Sequence, residues 1–308
     1  MRLVTSMRRD YYQIPNTPEQ QVIGIRDSDR ENDAFVNFSW IHTLNSGAVL
    51  TVSPFYHFNR ARYVGGPGDT PFIPMNDRAS SYMGAQASLA VVKGKNNLHL
   101  GAETYAQHDN TQFGVTANDG SGLALHQQTR PWGNLEALFL QEQYRMTSWL
   151  TLNGGLRFTR YSGLFSETSA DHRVGAALQL PRLRWTLHGF YGRSYQPPPL
   201  NTVSGPLLQF ALQNGFSFQP LHGERDKQYE FGLTIPIHDW VLEVVNFRTQ
   251  VRDYFDHAVL GNSNIFLPFT VDQARIRGWE ATISGIGLKS MWPTHTSTPR
   301  HAAASSEG

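Results

Sequence analysis

Short turns and long connections alternate along this sequence without a break, and that regularity excludes most all-β folds. The tight turns fall near residues 45, 95, 147, 182 and 239. Between them lie connections rich in Gly, Pro, Asp and Asn, spanning 60–79, 107–132, 162–170, 196–222 and 253–270. An up-and-down membrane barrel has tight turns at one rim and extended loops at the other, so it requires this alternation. A Greek-key sandwich or a propeller does not.

The segments between turns read as strands. The clearest stretch runs from Asn134 to Tyr161. Leu150, Leu152, Gly154, Leu156 and Phe158 fall on one face; Thr151, Asn153, Gly155, Arg157 and Thr159 fall on the other. A period of two marks a strand with one apolar face. Only Met146, Thr147 and Ser148 separate the two halves, so these pair as an antiparallel hairpin. About eleven residues, rising roughly 3.3 Å each and tilted near 45°, climb about 25 Å, the height of an outer-membrane apolar band. Similar alternation recurs from Ala34 to Ile41, Leu50 to Phe58, Tyr82 to Val91, Leu98 to Glu103, Val174 to Leu180, Trp185 to Tyr191 and Gln228 to Ile237. Residues 3–13 read as the end of a first strand and Arg275 to Gly285 as a last strand.

Composition admits a membrane barrel and also a polar soluble β protein. Charged residues make up 17% and aromatics 12%, and mean hydropathy is −0.40. Half of each barrel strand faces a wet lumen, which keeps mean hydropathy low. A formal net charge of +1 argues against a nucleic-acid surface. The chain has no cysteine, so disulfides and thiolate metal sites are excluded. Trp149, Trp185 and Trp240 each stand beside a short turn. Any one alone reads as an edge-of-core residue; three at one rim read as an interfacial girdle.

Four further patterns, in order, resemble the β-barrel of TonB-dependent outer-membrane receptors. The first is Leu150-Thr151-Leu152-Asn153 followed by Gly155-Leu156-Arg157-Phe158. The second is Tyr191-Gly192-Arg193-Ser194-Tyr195 before Pro197 to Pro199. The third is Glu224-Arg225 leading to Tyr229-Glu230-Phe231-Gly232, with Gly223 where the family usually has proline. The fourth is Arg275, Arg277, Gly278 and Glu280. The resemblance implies a bacterial outer-membrane location and energy-coupled import of a scarce ligand, such as a metal chelate, cobalamin or a glycan. It implies outer-membrane lipid as a partner. Coupling to the TonB complex is implied only where the full-length protein carries a plug and coupling segment. No cofactor is implied. A passive porin or an adhesin-like barrel is the alternative.

The expected fold is therefore all-β: an antiparallel up-and-down transmembrane barrel, incomplete, with about twelve strands in an open curved sheet, where a family barrel has about 22. Residues 1–286 are expected to form this partial barrel and 287–308 a disordered tail. The first residues, MRLVTSMRRDYYQIP, lack the apolar core of a signal peptide. With no plug or terminal aromatic strand in view, the chain reads as a fragment of a receptor. Leu150, Leu152, Leu156, Phe158, Tyr229, Phe231, Leu233 and Ile235 are expected on the outer face, with Arg157 and Glu230 inward.

Arg157, Glu230, Arg277, Gly278 and Glu280 are the candidate lumenal residues. Lumenal charges contact a ligand or plug, or they pair among themselves and hold the barrel round; pairing is the favoured reading. Phe210, Phe216, Phe218, Phe255, His257 and Phe266 fall in the connections 196–222 and 253–270, where aromatic residues either grip a ligand or cap one another. No histidines share metal-ligand spacing. An enzyme is disfavoured: G-x-S-x-G is absent. Ser194 and His188, six apart on one strand, lie roughly 20 Å apart, too far for a nucleophile–base pair.

Overall fold

A computed structural model describes residues 1–69, 72–163, 165–200, 222–259 and 266–285. The strands are β1 (Arg2–Gln13), β2 (Ser28–Asn45), β3 (Ala48–Val64), β4 (Phe72–Lys93), β5 (Asn96–Ala117), β6 (Ala124–Thr129) and β7 (Trp132–Arg145). They continue with β8 (Leu150–Ser162), β9 (Ser166–Leu180), β10 (Trp185–Gln196), β11 (Glu224–Ile237), β12 (Trp240–Val259) and β13 (Phe266–Gly285). All thirteen form one antiparallel sheet, ordered as in the sequence, which does not close into a barrel.

The thirteenth strand has a local cause. β6 and β7 both pair with β5, and one register runs through both, from Thr116↔Ala124 through Thr111↔Thr129 to Asn96↔Tyr144. They are one long strand broken at Pro131, whose ring nitrogen has no N–H to give the ladder. Its carbonyl still accepts from Asp109 N–H at 3.0 Å.

The strands run further than their apolar alternation. β4 and β5 have 22 residues each, where about ten suffice to cross the apolar band. The connections shrink accordingly. The expected loop at 60–79 is largely the ends of β3 and β4, and that at 107–132 is the β5–β6 hairpin, turning at Gly120 and Gly122 with φ of 78° and 70°. The expected loop at 162–170 is mostly strand, and β12 and β13 extend deep into 253–270. A ladder needs only backbone partners. Beyond the band both faces are wet, so the side-chain pattern that reveals a strand is lost there while pairing continues. Within the polar segment 15–32, Thr17 caps a single helical turn, α1 (Pro18–Val22), through a capping box with Gln20.

Residues directly opposite in a ladder share a face. One row therefore runs Gln86, Glu103, Ala137, Thr159, Ser169 across five strands. The adjacent row on the other face runs Ala87, Ala102, Leu138, Phe158, Ala170. Burial is inverted relative to a soluble sheet: Thr159 is 4% exposed, while Leu138 is 62% and Phe158 53% exposed. The enclosed inner face is polar and the open outer face is apolar, with Leu152, Leu156, Tyr229 and Phe231 also exposed on the latter. Arg157 and Glu230 lie on the inner face, as expected. The expected tail at 287–308 lies outside the described residues.

Candidate functional site

The inner face is a lattice of cross-strand polar contacts. Ser53 Oγ donates to Ser39 Oγ at 2.9 Å. His57 Nε2 meets Asp33 at 2.7 Å and stacks on Tyr82. Gln107 amide donates to Tyr82 Oη at 3.2 Å and to Asp109 at 2.9 Å; Ser80 Oγ also donates to Asp109, at 2.7 Å. Arg157 donates to Glu103 at 2.8 Å across the intervening strand β7 and to Thr159 Oγ1 at 3.3 Å. Both members of the Arg157–Glu103 pair are 29% exposed.

Further along, Glu230 lies 3.6 Å from His188. The His188 ring occupies the space over Gly232, where any Cβ would collide with it. Gly278 plays the same part for Phe247: a Cβ there would stand 2.7 Å from the ring. Glu230, Glu243 and Glu280 line one shallow inner pocket. The register puts Arg277 elsewhere. It is one residue from Gly278 and directly opposite Arg248, which is opposite Tyr229, so it stands on the outer face. Strand alternation admits no lumenal place for it.

Of the loop candidates, Phe210, Phe216 and Phe218 lie outside the described residues. Phe255 is in β12, where its N–H donates to Glu224 at 2.9 Å. His257 is in β12 and Phe266 begins β13, opposite Pro268 and Val259 respectively. Ser194 Oγ donates to Asp226 at 3.2 Å, and His188 faces Glu230, so the two form no nucleophile–base pair. Among the described residues, no three His, Asp or Glu converge as metal ligands.

Sequence reasoning misses two centres. Glu167, at the start of β9, accepts from Tyr195 Oη at 3.0 Å and Gly223 N–H at 3.1 Å, and lies 3.0 Å from His222 and 3.7 Å from Arg225. It ties the end of β10 to the start of β11 where β10 has left β9: their pairing ends at Gly192↔Arg173. The available signal is that Tyr195 and the stretch from His222 to Arg225 belong to two of the recognised motifs. The second centre is an acid pair at the long-connection rim. Asp27 and Asp69 are 0% and 1% exposed. Asp27 accepts from Tyr63 Oη at 2.6 Å and Gly66 N–H at 3.0 Å. Burial, and then the neighbouring Asp27, push the Asp69 carboxyl up to about 7. No periodic pattern surrounds either residue, so no sequence signal marks them.

Comparison with known proteins adds the following. The family model for the TonB-dependent receptor-like β-barrel matches residues 4–297. No curated protein sequence matches significantly. Among solved structures, the copper transporter OprC is similar at TM-score 0.63 and 14% identity, over 85% of this chain and 45% of that one. The ferric yersiniabactin uptake receptor FyuA from Yersinia pestis is similar at TM-score 0.66 and 13% identity, over 84% and 41%. The siderophore receptor PiuA from Acinetobacter baumannii is similar at TM-score 0.57 and 14% identity, over 85% and 45%. The chain spans less than half the length of these structures.

Proposed function

Because the chain belongs to the TonB-dependent receptor β-barrel family, we propose that it supplies barrel strands to a bacterial outer-membrane receptor for energy-coupled uptake of a scarce ligand. The ligand class is a metal chelate, cobalamin or a glycan. The observation that carries this reading is the two-faced sheet. An apolar face left open to the surroundings and a polar face enclosed within is the arrangement of a lipid-embedded barrel with a wet interior. The inner lattice, anchored by Glu103–Arg157 and His57–Asp33, keeps lumenal charge paired. Similar structures named for copper and siderophore transport make the metal chelate the class to test first.

Uptake measurements test this. Cells carrying the intact gene and cells deleted for it would be compared for accumulation of ferric siderophores, copper, cobalamin and labelled oligosaccharides, with and without an uncoupler. The expected result is loss of one ligand's uptake on deletion and on uncoupling. Uptake that survives uncoupling would assign a passive porin instead. No change for any ligand would refute the import reading.

A further inference from the structure

At the long-connection rim two segments are packed backbone to backbone. The residues from Ile14 to Asn16 run beside Ile25 to Asp27: Ile14 N–H donates to Asp27 O at 2.9 Å, and Asn16 Nδ2 donates to Ile25 O at 2.7 Å. The connection from Gly65 to Asp69, between β3 and β4, lies against the same stretch. A Cβ on Gly66 would stand 2.9 Å from Arg26 N, and one on Gly68 would stand 2.7 Å from Gly24 O. Asn118, just past β5, clamps this connection by donating to Pro67 O at 2.8 Å and Asp69 O at 3.1 Å. Ile25, Pro74 and Val115 are fully buried at the junction.

The junction holds more acceptors than donors. Asp27 gives one oxygen to Gly66 N–H and the other to Tyr63 Oη. Asp69, 1% exposed, faces Asp27, and neither of its oxygens meets a donor among the described residues. Seven buried side-chain atoms lack a partner among the described residues, all of them oxygens, and five of these are here. They are both carboxyl oxygens of Asp69 and one oxygen each on Asn16, Asp29 and Asn76. Asp29 and Asn76 stand directly opposite Tyr63 on its two sides. Two carboxylates enclosed together are held at a cost unless positive charge meets them. The described residues bring none: the Arg26 guanidinium turns to Ile25 O, and no cation acts on Asp69.

We propose that Asp27 and Asp69 bind a calcium ion, with neutral amide and carbonyl oxygens around them completing its shell. The chemistry of the junction selects that ion. Two carboxylates call for a divalent cation. The groups facing it offer oxygen and neither nitrogen nor sulfur, which suits calcium or magnesium and disfavours zinc and copper. Magnesium keeps several waters in a near-ideal octahedron, whereas calcium accepts an irregular shell of protein oxygens. Burial of both carboxyls leaves little room for water and favours calcium. Two carboxylates, rather than three or four, set a weak site of the kind found in modules outside the cell. The ion staples the β3–β4 connection to the segment that leads into β2. In metal-free buffer a proton takes its place on the pair. The site depends on neither the membrane nor the import reading.

The test uses the full 308-residue chain in zwitterionic detergent, stripped with chelator. Terbium replaces calcium among oxygen ligands and luminesces when a nearby tyrosine is excited. Tyr63 Oη, 2.6 Å from Asp27, supplies that tyrosine. Terbium emission should saturate and be removed by calcium. Calorimetric titration with calcium chloride should give one site with a Kd of about 10⁻⁴–10⁻³ M, and magnesium chloride should bind about tenfold more weakly or less. Asp69→Asn and Asp27→Asn should each weaken calcium about tenfold or more, whereas Asp239→Asn at a short turn should leave it unchanged. In the parent, saturating calcium should slow amide exchange at Gly66 and Asp69 about tenfold. No tyrosine-sensitised emission, unchanged calcium affinity in Asp69→Asn, equal affinity for magnesium, or parental exchange at Gly66 and Asp69 that calcium leaves unchanged would each overturn the proposal.

Discussion

Asp69→Asn should remove a pH dependence from the long-connection rim. The carboxyl of Asp69 has an ordinary value of 3.8 and is pushed up to about 7 in the fold, first by burial and then by Asp27. A group whose folded value is raised holds its proton more tightly in the folded state. Its contribution is fully present below pH 3.8 and is lost as pH rises through 7. At about 1.36 kcal/mol per unit, a shift of roughly three units is about 4 kcal/mol at most. Among the described residues no cation pairs with it: the neighbouring Arg26 guanidinium donates to Ile25 O at 2.7 Å. Asparagine preserves shape and cannot ionise. The assay is amide exchange at Gly66, whose N–H donates to Asp27, and at Asp69, whose N–H donates to Gly66 O at 3.1 Å. Corrected for intrinsic rates, parental protection should fall between about pH 4 and 7 by up to roughly a thousandfold and level off above that. The variant should stay protected throughout. Flat protection in the parent, or the same decline in the variant, would refute the argument.

Three further substitutions test the sheet. Phe158→Arg places a cation in the outer apolar row and should cost about 2–4 kcal/mol in bilayer unfolding titrations, while the same change in a lipid-free short-chain detergent should cost far less. A double-mutant cycle of Glu103→Gln and Arg157→Gln should give a coupling of about 1 kcal/mol, discounted for the partial exposure of the pair; zero coupling would remove it from the inner lattice. Gly278→Ala should destabilise by about 1–3 kcal/mol because its methyl meets the Phe247 ring, and Phe247→Leu in the same background should restore much of the loss.

The membrane-height part of each strand is legible because one face there must be apolar and the other need not be. Leu152, Leu156 and Phe158 against Arg157 and Thr159 is that contrast written in sequence, and the structure keeps it. Above that height, at Arg60 to Val64 or Thr111 to Ala117, solvent wets both faces and the period disappears, so strand there reads as loop. Arg277 is misplaced when its motif is taken as a unit; alternation assigns neighbours to opposite faces whatever motif they share. The site is least legible where distant residues converge. Glu167 meets Tyr195, Gly223 and Arg225 only because β10 parts from β9, and no local pattern encodes that parting.

Pro131 gives the sheet something like a crack-stop. Above it, six residues of β6 seal the flank of β5; below it, β7 seals the rest in unchanged register. A zipper opened from the loop tips would run freely through Ala124 to Thr129, then reach Pro131, which gives no N–H and is held to β5 by its carbonyl, accepting from Asp109 N–H. The ladder changes there from paired to single bonds. The tip of this hairpin can fray, swap partners or be rebuilt by mutation while the wall beneath it keeps its seam.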